Sequence, residues 1–262
     1  MGKICVFVNQ KGGVGKTTSA INIGAFMAEA GKKVLLVDFD AQGNLSCGIG
    51  AKPPKPGIYE LLSGSATVQE ATRKTDVPNL DAIPADHDLS GAAVELIEEK
   101  ERNYFLKNAL HPIKNKYDYI LVDCPPSLGQ LTLNGFAAAD IILIPMQCEF
   151  FALEGLRQLL HTTKLVQKDI NPSLKIGGIF FTMYDPRTRL ANDVIKDVST
   201  TYKDKVLNTI IPRNIRLSEA PSCEMPISLY DRQCPGARAY NALAQELIKR
   251  FSVCSKGAAN AS

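Results

Sequence analysis

Within nine positions, Gln10-Lys11-Gly12-Gly13-Val14-Gly15-Lys16-Thr17-Thr18 gathers three glycines, two ammonium groups and two hydroxyls. Glycines let a backbone fold into a concave nest whose N–H groups point inward at an anion. A lysine beside such a nest adds positive charge, and a hydroxyl next to that lysine can hold a divalent cation. The chemistry is the binding of a polyphosphate. The surroundings agree: the apolar run Ile4-Cys5-Val6-Phe7-Val8 comes before the glycines and helical periodicity comes after them. In a strand, glycine loop and helix arrangement, the start of the helix turns its positive dipole end toward the phosphates. Lys16 is expected at the β- and γ-phosphates and Thr17 at Mg²⁺, with Gly12, Gly13, Val14, Gly15 and Thr18 forming the cradle. The G-x-x-x-x-G-K-[ST] pattern asks for glycine where this chain has Gln10, and an extra lysine, Lys11, stands inside the loop.

Two other stretches end apolar runs in carboxylates. Val34-Leu35-Leu36-Val37 leads into Asp38-Phe39-Asp40-Ala41-Gln42-Gly43-Asn44. Tyr119-Ile120-Leu121-Val122 leads into Asp123, after which Cys124-Pro125-Pro126-Ser127 restricts the exit path of the chain. A carboxylate at the position of Asp123 meets Mg²⁺ mainly through water, because that ion gives up its hydration reluctantly. Phosphoryl transfer asks a protein for positioning and charge compensation more than for covalent chemistry.

Groups so far apart in sequence need a scaffold. Short apolar, β-branched runs at 4–8, 33–38, 80–84, 119–123, 141–145, 175–182 and 206–211 read as strands buried on both faces. Helical patterns at 18–30, 89–100, 153–167 and 190–202 separate them. The alternation predicts an α/β fold, a doubly wound and mostly parallel sheet flanked by helices. Such a sheet collects its ligand at the C-terminal ends of its strands, where the loop and the acids stand. One domain is expected over 1–251. The proline- and glycine-rich stretch 51–57 reads as a surface loop, the charged stretch 98–107 as a helix face, and 252–262 as a disordered tail.

The K-G-G-x-G-K-T loop resembles the deviant phosphate loop of the ParA/MinD family of ATPases. Its ParA/Soj-type partition branch is resembled over nearly the whole chain, through the loop, Asp-x-Asp-x-Gln-Gly-Asn at 38–44, Asp-Cys-Pro-Pro-Ser at 123–127 and Ile-Pro-Arg-Asn-Ile-Arg-Leu-Ser-Glu-Ala-Pro at 211–221. The resemblance implies an ATPase that uses ATP and Mg²⁺ and forms an ATP-dependent homodimer in which Lys11 crosses the interface to the other subunit's nucleotide. It implies that Asp40 orients or activates the attacking water, that Asp38 joins Thr17 and Asp123 around the metal, and that Pro212 and Asn214 border the adenine. It further implies non-specific binding of double-stranded DNA by the ATP-bound dimer, and a ParB-type centromere-binding partner. Arg187, Arg189 and Arg216 are the expected DNA contacts. They stand between 187 and 250, which holds eleven basic and seven acidic residues.

Composition narrows the alternatives. A formal charge of +3 over 262 residues excludes a polycation, so DNA binding requires weak patches aligned by dimerisation. Seven cysteines with no C-x-x-C argue against a disulfide framework, a zinc ribbon and the cluster scaffolds of the superfamily. No apolar run approaches the ~18 residues of a membrane span, and the first strand begins where a signal peptide would stand, so a cytoplasmic, nucleoid-associated protein is expected. The competing expectation is a MinD-like, membrane-associated positioning ATPase, whose last helix is basic and amphipathic. Helix 237–251 has core spacing instead, and only Lys249 and Arg250 at its end. A ligase-like relative acting on a small molecule is a third.

Overall fold

A computed structural model describes residues 2–95 and 101–259. In chain order the elements are β1 (Lys3–Phe7), α1 (Lys16–Glu29), β2 (Val34–Asp38), α2 (Asn44–Gly48), α3 (Ile58–Leu62), α4 (Val68–Ala71), β3 (Arg73–Lys74), β4 (Leu80–Ile83), α5 (Leu89–Glu95), α6 (Phe105–Leu110), β5 (Tyr119–Asp123), α7 (Gln130–Ala138), β6 (Ile141–Gln147), α8 (Ala152–Asp169), β7 (Lys175–Thr182), α9 (Arg189–Tyr202), α10 (Arg216–Glu219), α11 (Ile227–Tyr230) and α12 (Pro235–Ala259). The seven strands form one sheet in the order β3-β4-β2-β5-β1-β6-β7, parallel except for β3.

Burial on both faces explains the unbroken apolar strands. One core lies between the sheet and α3 to α9, with Val6, Leu35, Ile120 and Ile144 pointing into it. The other lies beneath α1, α2, α11 and α12, with Cys5, Phe7, Leu36 and Leu121. Strand β1 sits centrally between β5 and β6. The chain builds outward from it in both directions, so the crossovers reverse beside β1 and open a crevice at its C-terminal end. Register then sets the chemistry: Asp38 is paired with Asp123 across β2 and β5, and Phe7 with Asp123 across β1 and β5.

The expected strand at 206–211 is not one. It follows β7 without a continuous ladder: Val206 bridges Ile179, and the Leu207 and Ile211 N–H groups donate to the Ile179 and Phe181 carbonyls (2.8 Å each), with a further bridge beyond both segments between Tyr184 and Pro212. The N–H groups of Asn208 and Thr209 go to the Glu246 carboxylate of α12, at 2.7 and 3.0 Å, which interrupts the ladder. The helix expected from 89 is seen to Glu95, and 96–100 lie outside the described residues. Within 98–107, residues 101–103 turn and α6 begins at Phe105. Of the expected tail, residues 252–259 belong to α12 and 260–262 lie outside the described residues. Cys5, Cys47, Cys124, Cys148, Cys223 and Cys234 are free.

Candidate functional site

The loop between β1 and α1 turns on two left-handed residues, Gly13 (φ 74°) and Gly15 (φ 84°), where a side chain would be strained. Gly15 caps α1 without any side-chain bond to the first turn, so the first N–H groups of α1 face the crevice unclaimed by a capping side chain. The loop is held from outside. The Asn9 side chain accepts from the Lys11 N–H (3.0 Å) and donates to the Pro145 carbonyl (2.8 Å). Thr182 donates to the Val14 carbonyl (2.8 Å), and Gln147 to that of Gly13 (3.1 Å).

The two lysines behave differently. Lys16 is buried, and its amine bonds back across the loop to the Lys11 carbonyl (3.3 Å). Burial lowers its pKa, opposed by the charges of Asp123 and Asp40. Lys11 is half exposed and points away from its own loop, into an ion pair with Glu149 in the segment between β6 and α8. Phe150 and Phe151 follow, 74% and 78% exposed and packed edge to face.

Asp123 is buried and accepts from the Thr17 hydroxyl at 2.6 Å, while its Oδ1 has no hydrogen-bond partner among the described residues. Burial, reinforced by the charge of Asp38, pushes its pKa up to about 8. Asp38 is also buried and rises to about 6 for the same primary reason. Its Oδ2 accepts both the N–H (2.8 Å) and the hydroxyl (2.6 Å) of Ser46, whose oxygen in turn accepts the Ala85 N–H (2.9 Å). Asp40 is only partly buried and its carboxylate accepts the Gln42 N–H (3.1 Å). With all three carboxyls ionised, as a bound cation would favour, Asp38, Asp40 and Asp123 outnumber the single ammonium of Lys16 by two charges. An orphaned carboxylate oxygen beside a threonine hydroxyl, with that surplus, fits a hard divalent cation.

Asp123 as a neutral carboxyl leads to a stability prediction. Its folded pKa lies above the unfolded value of ~4, so the folded state holds its proton more tightly and stability falls as pH rises from about 4 toward 8. Asp123→Asn cannot ionise, yet keeps an oxygen for Thr17. We expect it to raise the melting temperature of the nucleotide-free protein by about 5 °C at pH 8.5 and hardly at all at pH 5. Thermal scans at both pH values check this; an equal gain at each would refute ionisation as the cause.

Pro212 and Asn214 line a cleft of about 610 Å³ that opens from Gly15 and Thr18 and is also bordered by Met183 and Tyr240. Met183, left-handed at φ 51°, turns the chain out of β7 into this cleft. The three arginines are unequal. Arg187 donates to the Asp185 carboxylate at 2.8 and 2.6 Å. Arg216 pairs with Glu219 (2.9 Å) and Asp231 (3.5 Å). Arg189 is 97% exposed, and its one ion pair among the described residues is with Asp193 at 3.9 Å. Sequence reasoning missed Asn9, Gln147, Glu149 and Thr182. Gln147 and Thr182 end β6 and β7, and that position was itself a signal.

Residues 2–176 match the model of an AAA domain family. The chain is 62% identical to the chromosome-partitioning ATPase Soj of Treponema pallidum, over 95% of this chain and 98% of that protein. It is 50% identical to the chromosome partitioning protein ParA of Caulobacter vibrioides, over 95% and 94%. The fold resembles that of a Mycobacterium smegmatis protein described as cobyrinic acid a,c-diamide synthase, solved with an ATP analogue and magnesium. There the TM-score is 0.84 at 38% identity, with 96% of each chain covered.

Proposed function

Because the chain belongs to the Soj/ParA family of partitioning ATPases, we propose that it moves DNA as a nucleotide-gated dimer. It is an ATPase that uses ATP and Mg²⁺. The observation that carries the dimer reading is the division of labour between the lysines. Lys16 lies buried under its own loop, whereas Lys11 stands at the rim beside two exposed aromatic rings. An exposed apolar pair next to a half-exposed cation is what a closing interface uses.

In this reading the amides of Gly12 to Thr18 and the Lys16 amine hold the phosphates. Thr17, Asp38 and Asp123 hold Mg²⁺, which when bound compensates phosphate charge. Pro212 and Asn214 border the base. Asp40 orients the attacking water, and Lys11 reaches the partner's nucleotide, compensating charge as an arginine finger does. Closure on two nucleotides sets two copies of the arginine-bearing surface side by side, and hydrolysis separates them. A ParB-type protein is the proposed partner that hastens hydrolysis. The apolar stripe of α12 through Tyr240, Leu243, Leu247 and Phe251 is buried in the core, which supports DNA rather than membrane as the docking matrix. No helix among the described residues is long and apolar enough to cross a bilayer. Higher identity to the partition relatives than to the synthase favours partition over small-molecule chemistry.

Co-sedimentation with plasmid DNA and with liposomes, each with ATP, ADP and no nucleotide, tests the reading; liposome binding alone would replace it. Arg189→Glu with Arg216→Glu should weaken ATP-dependent DNA binding more than tenfold and flatten its salt dependence by about one unit of slope per lost phosphate contact. Arg189 should contribute most, since it has the least to give up. Unchanged DNA affinity in the double variant would remove this surface from the proposal.

A further inference from the structure

A second charged feature lies away from the nucleotide. Helix α8 carries Arg157, His161, Lys164 and Lys168 at i, i+4, i+7 and i+11, which puts them on one face. Beside that face runs a groove of about 460 Å³ between α8, the start of β7 and the end of α9. Lys175 and Lys205 complete its cationic rim, and no carboxylate lines it among the described residues. Lys164, Lys175 and Lys205 are exposed, and their ammonium groups have no ion pair or hydrogen bond among the described residues. Among the described residues Arg157 is the groove cation that forms an ion pair, with Glu154 at 3.8 Å on the exposed surface.

The floor is of another kind, formed by Leu160, Leu174, Ile176 and Tyr202. The walls are pinned. Gln167 donates to the Leu174 carbonyl at 2.7 Å, and Asn171 donates to the Phe136 and Ala139 carbonyls at 2.9 and 2.8 Å, so the turn leading to Lys175 is fixed. Lys175 opens β7 and Thr182, which touches the phosphate loop, closes it, so the groove lies toward the opposite end of the strand from the nucleotide.

We propose that this groove docks an acidic segment of a partner protein, one that alternates carboxylates with leucine-like side chains. Carboxylates would meet the unpaired ammonium groups, and apolar side chains would cover the partly exposed Leu160, Ile176 and Tyr202 of the floor. A DNA duplex or a bilayer surface suits the floor poorly, because either is too broad to enter and would touch only the rim. Occupancy would leave the nucleotide cleft open, so such a partner could hold the protein throughout its ATP cycle.

The test uses the full chain and a fluorescein-labelled peptide of about 15 residues repeating Glu-Glu-Leu, read by anisotropy, with a short DNA duplex and phosphatidylglycerol vesicles as parallel probes. Wild-type protein should bind the peptide, and bind a glutamine-for-glutamate version at least tenfold more weakly. Lys164→Glu with Lys175→Glu should weaken peptide binding at least tenfold, whereas Lys32→Glu with Lys33→Glu, the same charge change elsewhere, should alter it less than twofold. If the glutamate pair fails to fold, Lys164→Gln with Lys175→Gln should still lose at least threefold. The proposal is overturned if wild-type protein ignores the peptide, if both glutamate pairs weaken it equally, or if the groove pair keeps the peptide and loses only duplex or vesicle binding.

Discussion

Lys11→Ala protein is expected to bind ATP, to stay monomeric with it, and to turn it over about 10³-fold more slowly than wild type, the order of effect of a cation supplied across an interface. Binding should survive because Lys16, the unclaimed N–H groups at the start of α1 and the two left-handed glycines remain. Folding should survive because Lys11 gives up only an exposed ion pair with Glu149, worth about 0–1 kcal/mol. The same weakness lets Lys11 leave Glu149 when a second subunit arrives. Light scattering with ATP, a fluorescent-nucleotide titration and phosphate release separate the three properties. Normal hydrolysis by Lys11→Ala protein would rule out the cross-subunit role.

Much of this site could be read along the chain because its parts sit at strand ends. Asp38 and Asp123 each terminate an apolar run, and the β2–β5 register then places them side by side. What the chain order hid was long-range or too short to show a period. Glu149 is paired with a residue 138 positions away. The helices α2, α3, α4, α10 and α11 have four or five residues, barely one turn, and α7 mixes small and polar residues around Gly135. The 206–211 run is apolar like a strand, but Glu246 claims two of its N–H groups, a competition visible only in three dimensions. Resemblance named roles for Asp38 and Asp40 alike; the structure separates them by what each carboxylate holds.

That separation supports the second large effect. Asp40→Ala protein should load ATP and dimerise as wild type does, yet hydrolyse at least 10²-fold more slowly, the range for loss of a positioned acid–base group. Among the described residues the Asp40 side chain accepts one hydrogen bond, from the Gln42 N–H in its own turn, so little structure goes with it. Asp38→Ala is the contrasting variant. It would free the Ser46 N–H and hydroxyl and loosen the link through Ser46 to Ala85, so it should lose stability as well as activity. If hydrolysis is the step that opens the clasp, Asp40→Ala protein should also hold DNA long after free ATP is removed, while wild type lets go within its turnover time. An ATP-loaded Asp40→Ala protein that is monomeric by light scattering would leave Lys11 without a neighbour to serve, and the coupling of nucleotide to DNA would need another origin.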